Sequence, residues 1–152
     1  MASLSISGVE VMARDIVLAL DASDYAQAGI SAAWTEMLSF DLMVGPASTA
    51  HLRFHAAAQQ TATTEGRRGR GYTEEQVESG LAVTFAYHLR PGYHAEDLRS
   101  AHDAAQDVVR GINRSCQDDW STLFARISTG VDAERGLAII TVEFRIIHTI
   151  EV

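Results

Sequence analysis

The chain ends on GLAIITVEFRIIHTIEV, Gly136 to Val152, and how this stretch is read decides the fold. Ala138, Ile140, Val142, Phe144, Ile146, Ile150 and Val152 fall on one side with His148, while Thr141, Glu143, Arg145, Thr149 and Glu151 fall on the other, the period of two that marks a half-buried β-strand. One side demands a core. At ~3.3 Å per residue the strand reaches roughly 50 Å, more than twice a common strand. A single domain of this size is hard pressed to cover it, so part of the strand is expected to pair or pack outside its own subunit.

The 152 residues suffice for one domain with a hydrophobic core, and no internal repeat or second domain is visible. At 47% hydrophobic and 21% charged the composition is globular. The formal charge is −8 and there is no Lys, so every long basic side chain is an Arg. An acidic balance disfavours a general nucleic-acid or membrane-surface binder. One cysteine, Cys116, excludes an internal disulfide and a cysteine-cluster metal site, and is read as a reduced bystander. No apolar run approaches a membrane span, and MASLSISGVEVMARD lacks the basic-then-apolar order of a secretion signal, so a cytoplasmic product is expected.

Working back from the terminal strand, Leu123 to Thr129 is a further strand, joined to it through the turn-rich GVDAERG as a hairpin. Ala95, Leu98, Ala101, Ala105, Val108, Val109 and Ile112 form one helical stripe, with Glu96 and Asp97 in the first turn and Arg110 and Arg114 in the last, as the helix dipole prefers. Gly80 to Arg90 alternates as a strand and stops at Pro91-Gly92. QQTATTEGRRGRGYTEEQVES, Gln59 to Ser79, has almost no large apolar residue and reads as a long, mobile surface loop. Ser39 to Val44 and His51 to Ala57 look extended, either side of Gly45-Pro46, and Asp21 to Thr35 supports no firm assignment. Gly8 to Asp21 repeats apolar residues at helical spacing after Ser5 and Ser7 as caps; Val11 and Leu18 lie off the stripe, either covered by a neighbour or simply exposed. The sum is an α+β fold, a largely antiparallel sheet with helices packed on one face and a long C-terminal strand in a hairpin.

Enzyme motifs are missing: there is no GxSxG, no P-loop and no GxGxxG between a strand and a helix. HLRFH, His51 to His55, would converge on a metal only as a helix; as a strand it holds its histidines roughly 13 Å apart. No catalytic, cofactor or metal residues are therefore assigned. The acid pairs Glu74-Glu75, Glu96-Asp97 and Asp118-Asp119 read as a loop, a helix start and a turn. GRRGRG, Gly66 to Gly71, leaves three readings open: a nucleic-acid contact, a contact with carboxylates of a protein partner, or a solvated loop.

Taken together, GLAVTFAYHLRPGYHAEDLRSAHDAAQDVVRGI, LFARIST and GLAIITVEFRIIHTIEV resemble the tail terminator (tail-completion) proteins of long-tailed bacteriophages. The shared pattern is a strand ending near LRP, a helix carrying AHDAAQDVV, a strand, and a hairpin into a long final strand, over Gly80 to Val152. The resemblance implies a structural virion protein of the tail, assembled in the host cytoplasm. It implies a homohexameric ring that caps the tail tube, ends its growth and offers the head-joining surface. Its partners would then be other copies of itself, the tail tube protein and the head-tail connector, with no cofactor, no membrane, and DNA only as it passes through the ring. Arg67, Arg68, Arg70, Glu143 and Arg145 are the candidate contacts to a neighbouring subunit or the tube. The rivals are another neck or tail ring protein, such as a connector or tube subunit, a small enzyme using His51, His55 or His88, and a nucleic-acid module centred on the three arginines.

Overall fold

The computed structural model describes residues 3–21, 33–37, 50–63, 74–115 and 120–151. They form α1 (Ile6–Leu18), β1 (Thr35–Glu36), β2 (Arg53–Thr63), β3 (Glu74–His88), α2 (His94–Arg114), β4 (Trp120–Asp132) and β5 (Leu137–Glu151). The strands make one sheet in the order β1-β2-β3-β5-β4, parallel only between β1 and β2. Both helices pack on it, which is the α+β arrangement the periodicities imply.

The terminal strand lies in the middle of this sheet. It pairs with β3 from Leu137↔His88 to Glu151↔Glu74 and with β4 from Leu137↔Asp132 to His148↔Trp120. The expectation that part of β5 pairs outside its subunit is corrected over Leu137–His148, where two long neighbours within the chain meet its backbone groups on both sides. The hairpin link to β4 is as expected, and Gly136 adopts φ +65 at its turn, where an added Cβ would lie 3.0 Å from the carbonyl of Leu89.

The core lies between the helices and one face of the sheet. Leu81, Val83 and Phe85 of β3 oppose Phe144, Val142 and Ile140 of β5, with Phe54 of β2 across from Phe85, and all are buried. From α1 come Val9, Ala13 and Val17, four residues apart as one helical stripe requires; from α2 come Ala101, Ala105, Val108 and Ile112. The helices meet at Gly111, where a Cβ would come within 3.2 Å of Ile16 and Leu20, so the missing side chain sets their approach. Ser5 caps α1 by accepting a hydrogen bond from the Gly8 amide at 3.0 Å; Ser7, the other expected cap, lies inside the helix. Val11 and Leu18 are exposed.

Three expectations change. Gln59–Thr63 and Glu74–Ser79 belong to β2 and β3 rather than to the expected long loop, and the remaining residues of that expectation, 64–73, lie outside the described residues. Gln59, Gln60, Thr61 and Ala62 are solvent-exposed, and the backbone ladder forms without the apolar alternation that makes a strand legible. The strand expected from His51 starts instead at Arg53, because Leu52 takes a left-handed φ of 55 and turns the chain. Buried Leu52 is held there by its amide on the Ala86 carbonyl (2.8 Å) and by its carbonyl, which accepts from the Thr35 amide (3.1 Å). In α2, Ala95 is exposed and Asp97 is buried, the reverse of the helical stripe. Ser39 to Val44 and nearly all of Asp21 to Thr35, like Cys116, lie outside the described residues.

Candidate functional site

Helices cover one face of the sheet; the other carries Ala57 and Gln59 from β2, Glu78, Gly80 and Ala82 from β3, and Glu143 and Arg145 from β5. Side chains alternate along a strand, so the residues that bury Val142, Phe144 and Ile146 turn Glu143 and Arg145 outward. Small residues at Ala57, Gly80 and Ala82 leave a groove of about 390 Å³ between the taller side chains, with Gln59, Glu143 and Arg145 among its walls. Glu143 and Arg145 are thus neighbours on one surface, as the sequence places them.

Each already has a partner within the chain. Arg126 of β4 binds Glu143, and Arg145 binds Glu78 through Nε at 3.0 Å, while Thr61 donates to the other Glu78 oxygen at 3.1 Å. The Arg145 hydrogen bond holds the Glu78 carboxyl below its ordinary pKa, and Glu143 raises that of Arg126. Both pairs are solvated and reinforce the sheet weakly. The result is a ribbon of alternating charge with no net sign, running from β3 across β5 to β4. Arg67, Arg68 and Arg70 lie outside the described residues.

A second polar group closes the end of the sheet where β3 meets α2. Asp97, 2% exposed, accepts from the Arg90 amide (2.7 Å), from its Nε (3.0 Å) and from its terminal nitrogen (2.8 Å), while the Arg90 guanidinium stacks over Tyr93. Burial alone would raise the Asp97 pKa, but the hydrogen bonds from Arg90 outweigh it and hold the carboxyl low. Nearby, the buried His51 ring stands edge-on to Tyr87 and its Nδ1 accepts from the His88 amide at 3.2 Å. Burial, with the proximity of His88, pushes the His51 pKa from 6.5 down to about 4, and burial lowers that of His88 too. His51 is therefore neutral at pH 7. His55 points elsewhere, its Nδ1 donating to the Met37 carbonyl at 3.0 Å, so HLRFH does not converge. Among the described residues no group of three or more His, Cys, Asp or Glu is placed to hold a metal ion.

One further pair carries no sequence motif. The Ser79 hydroxyl lies 2.7 Å from Nε2 of His148, whose Nδ1 is 2.6 Å from the Leu4 carbonyl. That carbonyl only accepts, so Nδ1 carries the proton and Nε2 accepts from Ser79. The distances suit a nucleophile and its base, yet Ser79 is 0% and His148 1% exposed, closed to any substrate. Its role is to fasten the segment before α1 to β5, where the Leu4 amide also donates to Thr149. The sequence signal was available: a histidine on the apolar side of β5 needs a polar partner.

Compared with known proteins, the chain matches no family model and no curated protein. No helix of the described residues is long and apolar enough to cross a membrane.

Proposed function

We propose that the chain is a tail terminator: a structural protein whose copies close into a ring, capping the tail tube of a long-tailed phage, ending its growth and offering a surface to the head connector. The observation that carries this reading is the helix-free face of the sheet. Its strands run as long as fifteen residues, its arginines are exposed and neutralised by the less exposed Glu78 and Glu143, and its groove is open rather than a closed pocket. Such a surface suits contact with another protein, because it presents area and complementary charge without the converging, desolvated groups that catalysis uses. Support also comes from element order: β3, which ends at His88 just before Leu89-Arg90-Pro91, α2, β4 and β5 follow the strand, helix, strand and hairpin on which the resemblance rests. The buried groups that could do chemistry, Asp97, His51, His148 and Ser79, are occupied in holding elements together.

The test is mass measurement of the purified protein, alone and with the tube protein of its phage. A terminator gives a closed ring near six times the 16.5 kDa chain mass and tubes that stop growing where the ring binds. Open polymerisation marks a tube subunit instead, and a protein that binds the connector but leaves tube growth unchanged marks another neck ring.

A further inference from the structure

With β5 paired on both sides, β4 is one exposed backbone edge of the sheet; the other is β2 beyond its two-residue pairing with β1, where Glu10 already takes the Ala58 amide. The thirteen residues WSTLFARISTGVD form a ladder with β5, and among the described residues no strand lies on their other side. An edge strand presents a row of N–H and C=O groups to any chain that can lie alongside, and soluble proteins blunt such edges with Lys, Pro or brevity. β4 has neither residue and is long. Its single irregularity, between Phe124 and Arg126, leaves an unbroken run from Arg126 to Asp132. Along it stand Leu123 at 58% exposure, Phe124, and Val131 at 52%, so three of the seven large apolar residues exposed among the described residues sit on this one strand.

We propose that the outer edge of β4 is the docking edge for a second copy of this chain, which extends the sheet by strand pairing. Charge selects that occupant. The chain carries −8 overall, so copies repel across most approaches. β4 holds one Arg and one Asp, net zero, and Arg126 is already neutralised by Glu143, so this edge brings two acidic copies together without opposing like charges. A basic or acidic partner finds nothing there to read, whereas another strand of the same sheet offers the matching backbone row and apolar side chains. α1 makes the contrast: Val11 is 45% exposed, but its helix backbone is satisfied internally and offers no such template. The inference rests on the tail reading only for the number of copies. β4 against β4 closes at two, and β4 against the open edge of β2 beyond the short β1 gives a ring where the rotation between copies closes.

The experiment compares the full-length parent, the double variant Leu123→Lys/Val131→Lys, and the control Val11→Lys by light scattering over a range of concentrations. The parent is expected to associate. The double variant should need at least ~100-fold higher concentration to do so, with an unchanged circular dichroism spectrum, and the control should match the parent. Hydrogen exchange on the parent gives a second readout that needs no variant: β4 amides should slow about tenfold or more between dilute and associated samples, with α1 amides unaffected. A parent that stays monomeric, a double variant that associates like the parent, or β4 amides indifferent to concentration overturns the proposal. Its failure is distinct from that of the tail reading. A ring unaffected by the β4 changes refutes the docking edge alone, while a β4-dependent dimer that forms no ring refutes the terminator alone.

Discussion

The two faces of β5 are built from alternate residues of one strand and held by different physics. Toward the helices, Ile140, Val142, Phe144 and Ile146 are buried against Phe85, Val83, Leu81 and the apolar stripes of α1 and α2. Toward the open side, Glu143 and Arg145 stand in water, each tied to a charge on the adjacent strand. The covered face obtains stability from volume that nothing else fills, so changes there are felt in full. The open face obtains little from its solvated pairs and is free to serve a partner. Stability and recognition should therefore separate by residue parity along one strand.

The sharpest way to break this contrast is to hollow the covered face. Phe85 is fully buried, edge-on to Trp34 at 5.0 Å and opposite both Phe54 and Ile140. Phe85→Ala should cost about 3–5 kcal/mol in urea unfolding, through lost transfer energy and a residual cavity. A loss below about 1 kcal/mol would place the core elsewhere.

Next in size is acidification, which acts where the covered core reaches the end of the sheet. The unfolded His51 imidazole takes a proton near pH 6.5 and the folded one only near 4, so between these values the unfolded chain binds more protons and stability falls as pH falls. The stabilisation is complete above pH 6.5 and is lost toward pH 4, on the order of 3 kcal/mol for a shift of this size, with His88 acting in the same direction. His51→Asn keeps an acceptor near the His88 amide but cannot titrate. Its stability should fall less steeply over that window, and equal slopes would remove His51 as the cause.

A smaller loss is expected from Asp97→Asn, which keeps the shape but discards the charge that Arg90 encloses. The cost should be about 1.5–3 kcal/mol at pH 7, shrinking as acid protonates Asp97 in the parent below its already lowered pKa. A cost that persists unchanged at the lowest pH where the protein folds would mean that the hydrogen-bond geometry, not the charge, matters.

These residues also show what a sequence can disclose. The alternation in β3 and β5 and the helical stripe of α2 were legible because each element has one wet and one dry side, and burial writes itself as a period. The outer third of β2 was illegible because Gln59 to Ala62 are all solvent-exposed, so no apolar period marks them, and the backbone pairing that orders them is the same in every sequence. Asp97 was read as a helix-start acid because its burial depends on Arg90, seven residues away across the Pro91-Gly92 turn. Glu143 and Arg145 were correctly placed on the outer side of their strand, but their partners Arg126 and Glu78 follow from strand order, which periodicity does not encode.

The smallest effect on stability, and the one that sharpens the contrast most, belongs to Arg145. Its guanidinium is more than half exposed and answers Glu78 across the strand, so Arg145→Gln should leave the thermal midpoint of the monomer within error of the parent. If the open face meets a neighbouring subunit or the tube, the same change should be felt in assembly, because docking removes water from the pair and strengthens what solvent had screened. The weakening should be followed by mass measurement and tube capping at rising salt, alongside the triple variant Arg67→Ser/Arg68→Ser/Arg70→Ser. In the parent an exposed electrostatic contact fades as the screening length shortens, from about 10 Å at 0.1 M salt to about 3 Å at 1 M, so variant and parent should converge at high salt. A contact desolvated by docking is screened far less, and the gap should then persist. If Arg145→Gln assembles and caps tubes like the parent at every salt concentration, the helix-free face is not the contact surface at Arg145, and the edge of β4 is left as the place where copies of this chain meet.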